Sequence, residues 1–177
     1  MARTVTVGSK PFNLDGPELK VGHKAPNFRL VDTDMKEVTL SDSKGKIRLL
    51  SVVHSLDTNV CDIQTQRFER EAAHFLDVMV YTISMDLPFA QARYCGGHGI
   101  QNQKTLSDHR EASFGKAYGV LIKDLRLLSH AVFIIDRNDN IWYLEYLKEV
   151  GDQPDYEAAL QALSSIAGVI AAPALKV

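Results

Sequence analysis

The stretch Ile47-Arg48-Leu49-Leu50-Ser51-Val52-Val53-His54-Ser55-Leu56-Asp57-Thr58-Asn59-Val60-Cys61 decides the fold. Its first seven residues are apolar and β-branched enough to make a buried strand, and His54 to Asn59 carries polar turn chemistry. From Val60 the period changes. Ile63, Phe68, Ala72 and Phe75 recur at near-helical spacing, with Arg67, Glu69, Arg70 and Glu71 between them as helix formers for a solvent face. A strand handing over to a helix through a polar loop is the unit of an α/β layer fold, and open sheets of that kind bind ligands beyond the carboxyl ends of their strands. Cys61 falls there. With Thr58 as N-cap it becomes the third helical residue, beside unpaired backbone N–H groups and the positive end of the helix dipole, which favour thiolate over thiol. An unperturbed cysteine of pKa about 8.5 is only roughly 3% ionised at pH 7. The dipole supplies at most about 2 kcal/mol, or about 1.5 pKa units, so full activation calls for another cation or donor nearby. The competing reading makes Cys61 a small hydrophobe at a helix start.

The only other cysteine, Cys95, lies 34 positions further on. Between the two, Val78 to Ser84 reads as a strand, and Asp86-Leu87-Pro88 opens a second helix with proline near its first position. That helix carries Phe89, Ala90 and Ala92 toward Cys95, and Gly96-Gly97 ends it or marks a flexible joint. Further out, strands are predicted near Thr4–Val7 and Phe12–Leu14, a hairpin turning at Gly8-Ser9, and near Phe28–Val31, Val38–Leu40 and Lys104–Ser107. A helix is expected near Ala112–Tyr118. His130–Ile135 and Ile141–Leu147 read as a hairpin across Arg137-Asn138-Asp139-Asn140, and a last amphipathic helix spans about Tyr156–Ile166 from Asp155 or Pro154. The alternation predicts an α/β thioredoxin-like fold: a mixed central sheet flanked by helices, with an N-terminal β-hairpin in residues 1–16.

At 177 residues and 45% hydrophobic content the chain is expected to form one domain over 1–177, with a loose tail at 168–177. A net charge of −2 without a Lys/Arg run speaks against nucleic acid or an anionic membrane as partner. The alternating N-terminus has no apolar core of a signal peptide and no span of membrane length appears, so the expected compartment is the cytoplasm. In a reducing compartment a cysteine pair is more often catalytic, redox-sensing or metal-binding than a permanent disulfide.

Residues 55–61, Ser-Leu-Asp-Thr-Asn-Val-Cys, together with 85–95, Met-Asp-Leu-Pro-Phe-Ala-Gln-Ala-Arg-Tyr-Cys, resemble the thiol peroxidase branch of the atypical two-cysteine peroxiredoxins. The likeness continues through Thr105-Leu106-Ser107-Asp108-His109-Arg110, Ala131-Val132-Phe133-Ile134-Ile135-Asp136 and Pro154-Asp155-Tyr156-Glu157-Ala158-Ala159-Leu160, from about residue 5 to 165. The resemblance implies a peroxidatic cysteine at Cys61, a threonine at Thr58 that hydrogen-bonds peroxide and thiolate, and a resolving cysteine at Cys95. It also implies reduction of hydrogen peroxide or alkyl hydroperoxides, recharging by thioredoxin, a homodimer, and no metal or organic cofactor.

Two departures stand at the site. The family's loop carries proline where this chain has His54, and its active-site arginine occupies the position of His130. A guanidinium gives a permanent charge and a fork of donors that an imidazole lacks. A thiolate beside His130 is expected to lift its pKa above about 6.5 and to give a bell-shaped pH–rate profile. Arg126 and Arg93 are further candidates for the missing charge. Two other readings stay open here. One is a peroxide-sensing thiol switch with catalysis weakened by the two histidines. The other is a zinc-binding module drawing on His54, Cys61, Cys95, His98 and His130.

Overall fold

The structure is a computed structural model that describes residues 2–169. The chain begins with β1 (Thr4–Val7), β2 (Lys10–Asp15), β3 (Arg29–Val31), β4 (Glu37–Thr39) and a 3-10 turn at Leu40–Ser43. Next come β5 (Ile47–Val52), α1 (Asn59–Ala72), β6 (Phe75–Leu76), β7 (Val78–Ser84), α2 (Pro88–His98) and β8 (Lys104–Ser107). It closes with α3 (Ser113–Ala117), β9 (Leu121–Ile122), β10 (Leu127–Leu128), β11 (Ala131–Ile135), β12 (Ile141–Tyr146), α4 (Tyr156–Ser164) and β13 (Gly168–Val169). A seven-stranded sheet of order β12-β11-β5-β7-β8-β3-β4 lies at the centre. It is mixed: β5 and β7 run parallel, as do β7 and β8, whereas β11 is antiparallel to both β5 and β12.

Period-two alternation explains why β5 is buried along its whole length. Ile47 and Leu49 join Val80, Val132 and Ile134 under Phe68 of α1 and Ala159 and Leu163 of α4. Leu50 and Val52 face the other way, into a cluster with Phe133, Phe28, Phe114 and Tyr118. Arg48 shares that second parity and is fully buried, its guanidinium bonded to Asp139 and to the carbonyls of Lys46 and Asp136. It therefore ties the start of β5 to the β11–β12 turn.

The N-terminal hairpin turns at Gly8 and Ser9, whose positive φ values of 56° and 66° make the primed turn that matches strand twist. It does not stand alone. β2 pairs with β9, which pairs with β10, giving a second sheet of order β1-β2-β9-β10. The two-residue strands β9 and β10 carry no periodicity to read. Two further expectations are corrected. Ile63 is 54% exposed, because the inner face of α1 near its start is built from Cys61, Gln64 and Thr65. Phe75 has left the helix for β6, which pairs with β13 at Gly168 and Val169; residues 170–177 of the expected tail lie outside the described residues. Among the described residues no helix is long and apolar enough to cross a membrane.

Asp108, at the end of β8, anchors α3 by accepting from Phe114 N (3.1 Å) and Gly115 N (2.8 Å). It is 1% exposed, and burial pushes its pKa up from 3.8 to about 6 against those bonds. A carboxyl whose folded pKa is raised binds its proton more tightly in the native state. Its contribution to stability is therefore complete below pH 3.8 and lost as pH rises through about 6, an effect on the order of 3 kcal/mol. In urea unfolding, the stability advantage of the parent over Asp108→Asn should shrink by roughly that amount between pH 4 and 7. An advantage that does not change with pH would mean that Asp108 is ionised throughout.

Candidate active site

Thr58 takes the N-cap position with extended backbone (φ −101°, ψ 144°), so Cys61 is the third residue of α1 as the spacing predicts. The cap itself differs from expectation. Thr58 Oγ1 donates to Ser55 O at 2.9 Å and makes no bond to the helix amides. The loop before it is fixed from below by Asp86, which accepts from Ser55 Oγ (2.8 Å), Leu56 N (2.9 Å) and Ser84 Oγ (2.7 Å). That clamp aims Ser55 N at Cys61 Sγ, 3.5 Å away. Nothing local in the sequence marks Asp86 for this role, since Asp86-Leu87-Pro88 reads simply as a helix start.

His130 reaches the sulfur through register. Ala131 lies opposite Val52, so the residue before it stands beyond the carboxyl end of β5, and its parity is that of Val132 and Ile134, which face α1. Its Nε2 sits 2.8 Å from Cys61 Sγ, and both residues are fully buried. Burial dominates their chemistry. It pushes the Cys61 thiol up, outweighing the opposing help of Thr58, Ser55 N and the His54 backbone. That help from Thr58 requires its hydroxyl to turn, because its one proton goes to Ser55 O in this geometry. Burial also pushes His130 down to about 4, reinforced by the charge of His54 and opposed only by the Asp152 backbone. The expected rise of the His130 pKa beside a thiolate is thus reversed. Both partners rest neutral, and the thiol donates to Nε2. Nδ1 then carries the ring proton toward the Asp152 backbone, which falls short of full hydrogen-bond geometry.

His54 does not touch the sulfur with its ring, which donates from Nδ1 to Leu128 O at 3.0 Å. It instead lines a groove of about 410 Å³ with Thr58, Asn59, Val60, Val7 and Val150. Arg93 and Arg126 are both exposed, and neither is among the groups that shift Cys61; Arg126 acts on Asp108. The sulfur therefore has no arginine at its side, which corrects the search for a substitute charge.

Cys95, half-buried on α2, is a free thiol like Cys61, and its Sγ lies 3.4 Å from Thr105 Oγ1. Burial raises its pKa. Thr105 belongs to β8 and His130 precedes β11, strands three ladder steps apart in the sheet, or about 14 Å at about 4.8 Å a step. The groups that hold the two sulfurs are thus well separated, with Val53, Leu56 and Tyr94 in the cluster they share. No three His, Cys, Asp or Glu side chains among the described residues are placed to hold a metal ion, so the five zinc candidates do not converge.

Residues 20–160 match the Redoxin family. A thiol peroxidase of Halalkalibacterium halodurans is 55% identical over 159 residues, covering 90% of this chain and 96% of that protein. Among solved structures, a peroxiredoxin-like protein from Aquifex aeolicus superposes with a TM-score of 0.87 at 39% identity, covering 93% of this chain and 98% of the other. A thiol peroxidase from Chromobacterium violaceum gives 0.81 at 26%, covering 92% and 95%. Neither the zinc module nor the bare sensor finds support in these likenesses.

Proposed function

Since this chain belongs to the Redoxin family and carries out thiol-dependent peroxide reduction, we propose that Cys61 is the peroxidatic nucleophile, His130 its proton carrier and Cys95 the resolving thiol. The observation that carries this reading is the 2.8 Å contact between Cys61 Sγ and His130 Nε2 at the start of α1. As peroxide enters, the thiol proton passes to Nε2 and the sulfur attacks the distal oxygen. The S–O bond forms as the O–O bond breaks, and the leaving oxygen takes the proton from Nε2, departing as water or an alcohol. Cys61 is left as a sulfenic acid. An imidazole able to give and take a proton thereby replaces the fixed charge of an arginine, and the amides at the start of α1 with Thr58 stabilise the developing charge.

Cys95 then displaces hydroxide from the sulfenic sulfur, giving a Cys61–Cys95 disulfide and water. The distance between their anchoring groups requires part of α2 to unwind first. The mostly apolar groove beside Thr58 and Val60 suits the organic part of an alkyl hydroperoxide as well as hydrogen peroxide. The resemblance of the two cysteine segments supports thioredoxin as the reductant and a homodimer as the working form, and a reducing compartment such as the cytoplasm suits a thiol pair that must be recharged. Peptide mapping after one equivalent of peroxide should find one intramolecular Cys61–Cys95 disulfide per chain in the parent. In Cys95→Ser it should find Cys61 sulfenic acid or an intermolecular bridge at Cys61. Two free thiols in the parent after peroxide is consumed would refute the assignment.

A further inference from the structure

We propose that Tyr94 and Asp62 form a latch that times the release of Cys95, with Gly96 and Gly97 as the weak link it holds against. The proposal rests on the reading above that Cys95 must travel to Cys61. Tyr94 precedes Cys95 on α2, and Asp62 follows Cys61 on α1. The buried Tyr94 hydroxyl donates to Asp62 Oδ1 at 2.6 Å, which joins the neighbours of the two cysteines by a charge-assisted bond. Gln66 Nε2 donates to the same oxygen at 2.8 Å and so orients the carboxylate. His98 stacks on the Tyr94 ring, with centroids 4.1 Å apart and planes at 23°, and its Nδ1 donates to Tyr94 O at 2.9 Å. The last turn of α2 is thereby folded over the phenol.

Against this stands the composition of that turn. Gly96 and Gly97 lie inside α2 without a positive φ, and a Cβ on either would meet nothing within 4 Å. Neither a close approach nor a special backbone angle requires glycine there. Their physical effect is to weaken the helix just past Cys95, by about fivefold per residue relative to alanine. The first half of α2 is held separately, since Gln91 Nε2 donates to Ser84 Oγ (3.1 Å) and Leu106 O (3.0 Å). Unwinding from Gly99 back to Tyr94 thus frees Cys95, while the front of the helix stays docked. Until the latch opens, Cys61 keeps its surroundings. A latch that opens too slowly leaves the sulfenic acid exposed to further oxidation.

The test is stopped-flow reaction of the reduced protein with a hydroperoxide, which separates a peroxide-dependent phase at Cys61 from a peroxide-independent disulfide phase. Tyr94→Phe keeps the ring and its stack and should speed the second phase about tenfold with the first unchanged. Gly96→Ala/Gly97→Ala should slow the second phase by about tenfold or more and raise the yield of Cys61 sulfinic acid by mass spectrometry. The triple variant should return toward the parent. A Cys61–Cys95 disulfide forming at the parent rate in both variants would overturn the latch alone. Its absence from the oxidised parent would overturn the resolving role of Cys95 and the latch with it.

Discussion

Cys61→Ser should abolish peroxide consumption, lowering turnover by at least about 10⁴-fold, with unfolding stability within about 1 kcal/mol of the parent. The sulfur is fully buried and bonded to one imidazole nitrogen and one amide, and a serine hydroxyl fits the same space and donates to the same Nε2. The fold therefore has little to lose. The reaction loses its nucleophile, because an alkoxide does not form at neutral pH and oxygen attacks a peroxide bond poorly. A coupled assay with a dithiol reductant, run beside thermal unfolding, reads both halves of this expectation. Turnover of the serine variant above a few per cent of the parent would place the nucleophile elsewhere, Cys95 being the only other thiol in the chain.

His130→Gln should cost about 10²- to 10³-fold in the rate of Cys61 sulfenic acid formation at pH 7. Glutamine retains an amide to hydrogen-bond the sulfur but does not carry a proton, so the loss isolates proton transfer from hydrogen bonding. The size follows from burial. With the thiol pKa raised and no arginine acting on it, the variant must wait for rare spontaneous ionisation in a site that disfavours charge. In the parent the proton passes to a neutral imidazole across a 2.8 Å sulfur–nitrogen contact, and the pair stays neutral overall. A variant within threefold of the parent at pH 7 would reduce His130 to a packing residue.

Much of this was legible in the sequence wherever one element carried its own signal. The run Ile47–Val52, Pro88 at the first turn of α2 and Gly8-Ser9 at the hairpin each bring local chemistry that fixes local structure. Thr58 and Cys61 belong to the same class, because cap and third position lie on one short segment. Other features depend on partners distant in the chain. β9 and β10 exist only because β2 offers an edge to pair with, and Ile63 is exposed because polar Gln64 and Thr65 take the inner face of α1. The pairing of β11 with β5 brings His130 to a sulfur 69 residues earlier in the chain, and the sign of its pKa shift comes from burial that no window of sequence displays. The resemblance marked His130 as a departure, and the structure places that residue against the Cys61 sulfur. The expectation of a raised pKa counted only the neighbouring thiolate, whereas burial, which the sequence does not display, lowers it.

The dependence of single-turnover sulfenic acid formation on pH, in the parent and in His130→Gln, tests the neutral thiol–imidazole pair most directly. Because His130 is protonated only near pH 4, the parent rate should hold level from about pH 5.5 to 8 and fall only toward acid. The glutamine variant should start far below it and climb about tenfold per pH unit, closing the gap as Cys61 ionises unaided. A parent profile that falls through pH 6 to 8 would mean that an imidazolium supplies the charge. Parallel climbs in both proteins would mean that His130 never takes the proton of Cys61.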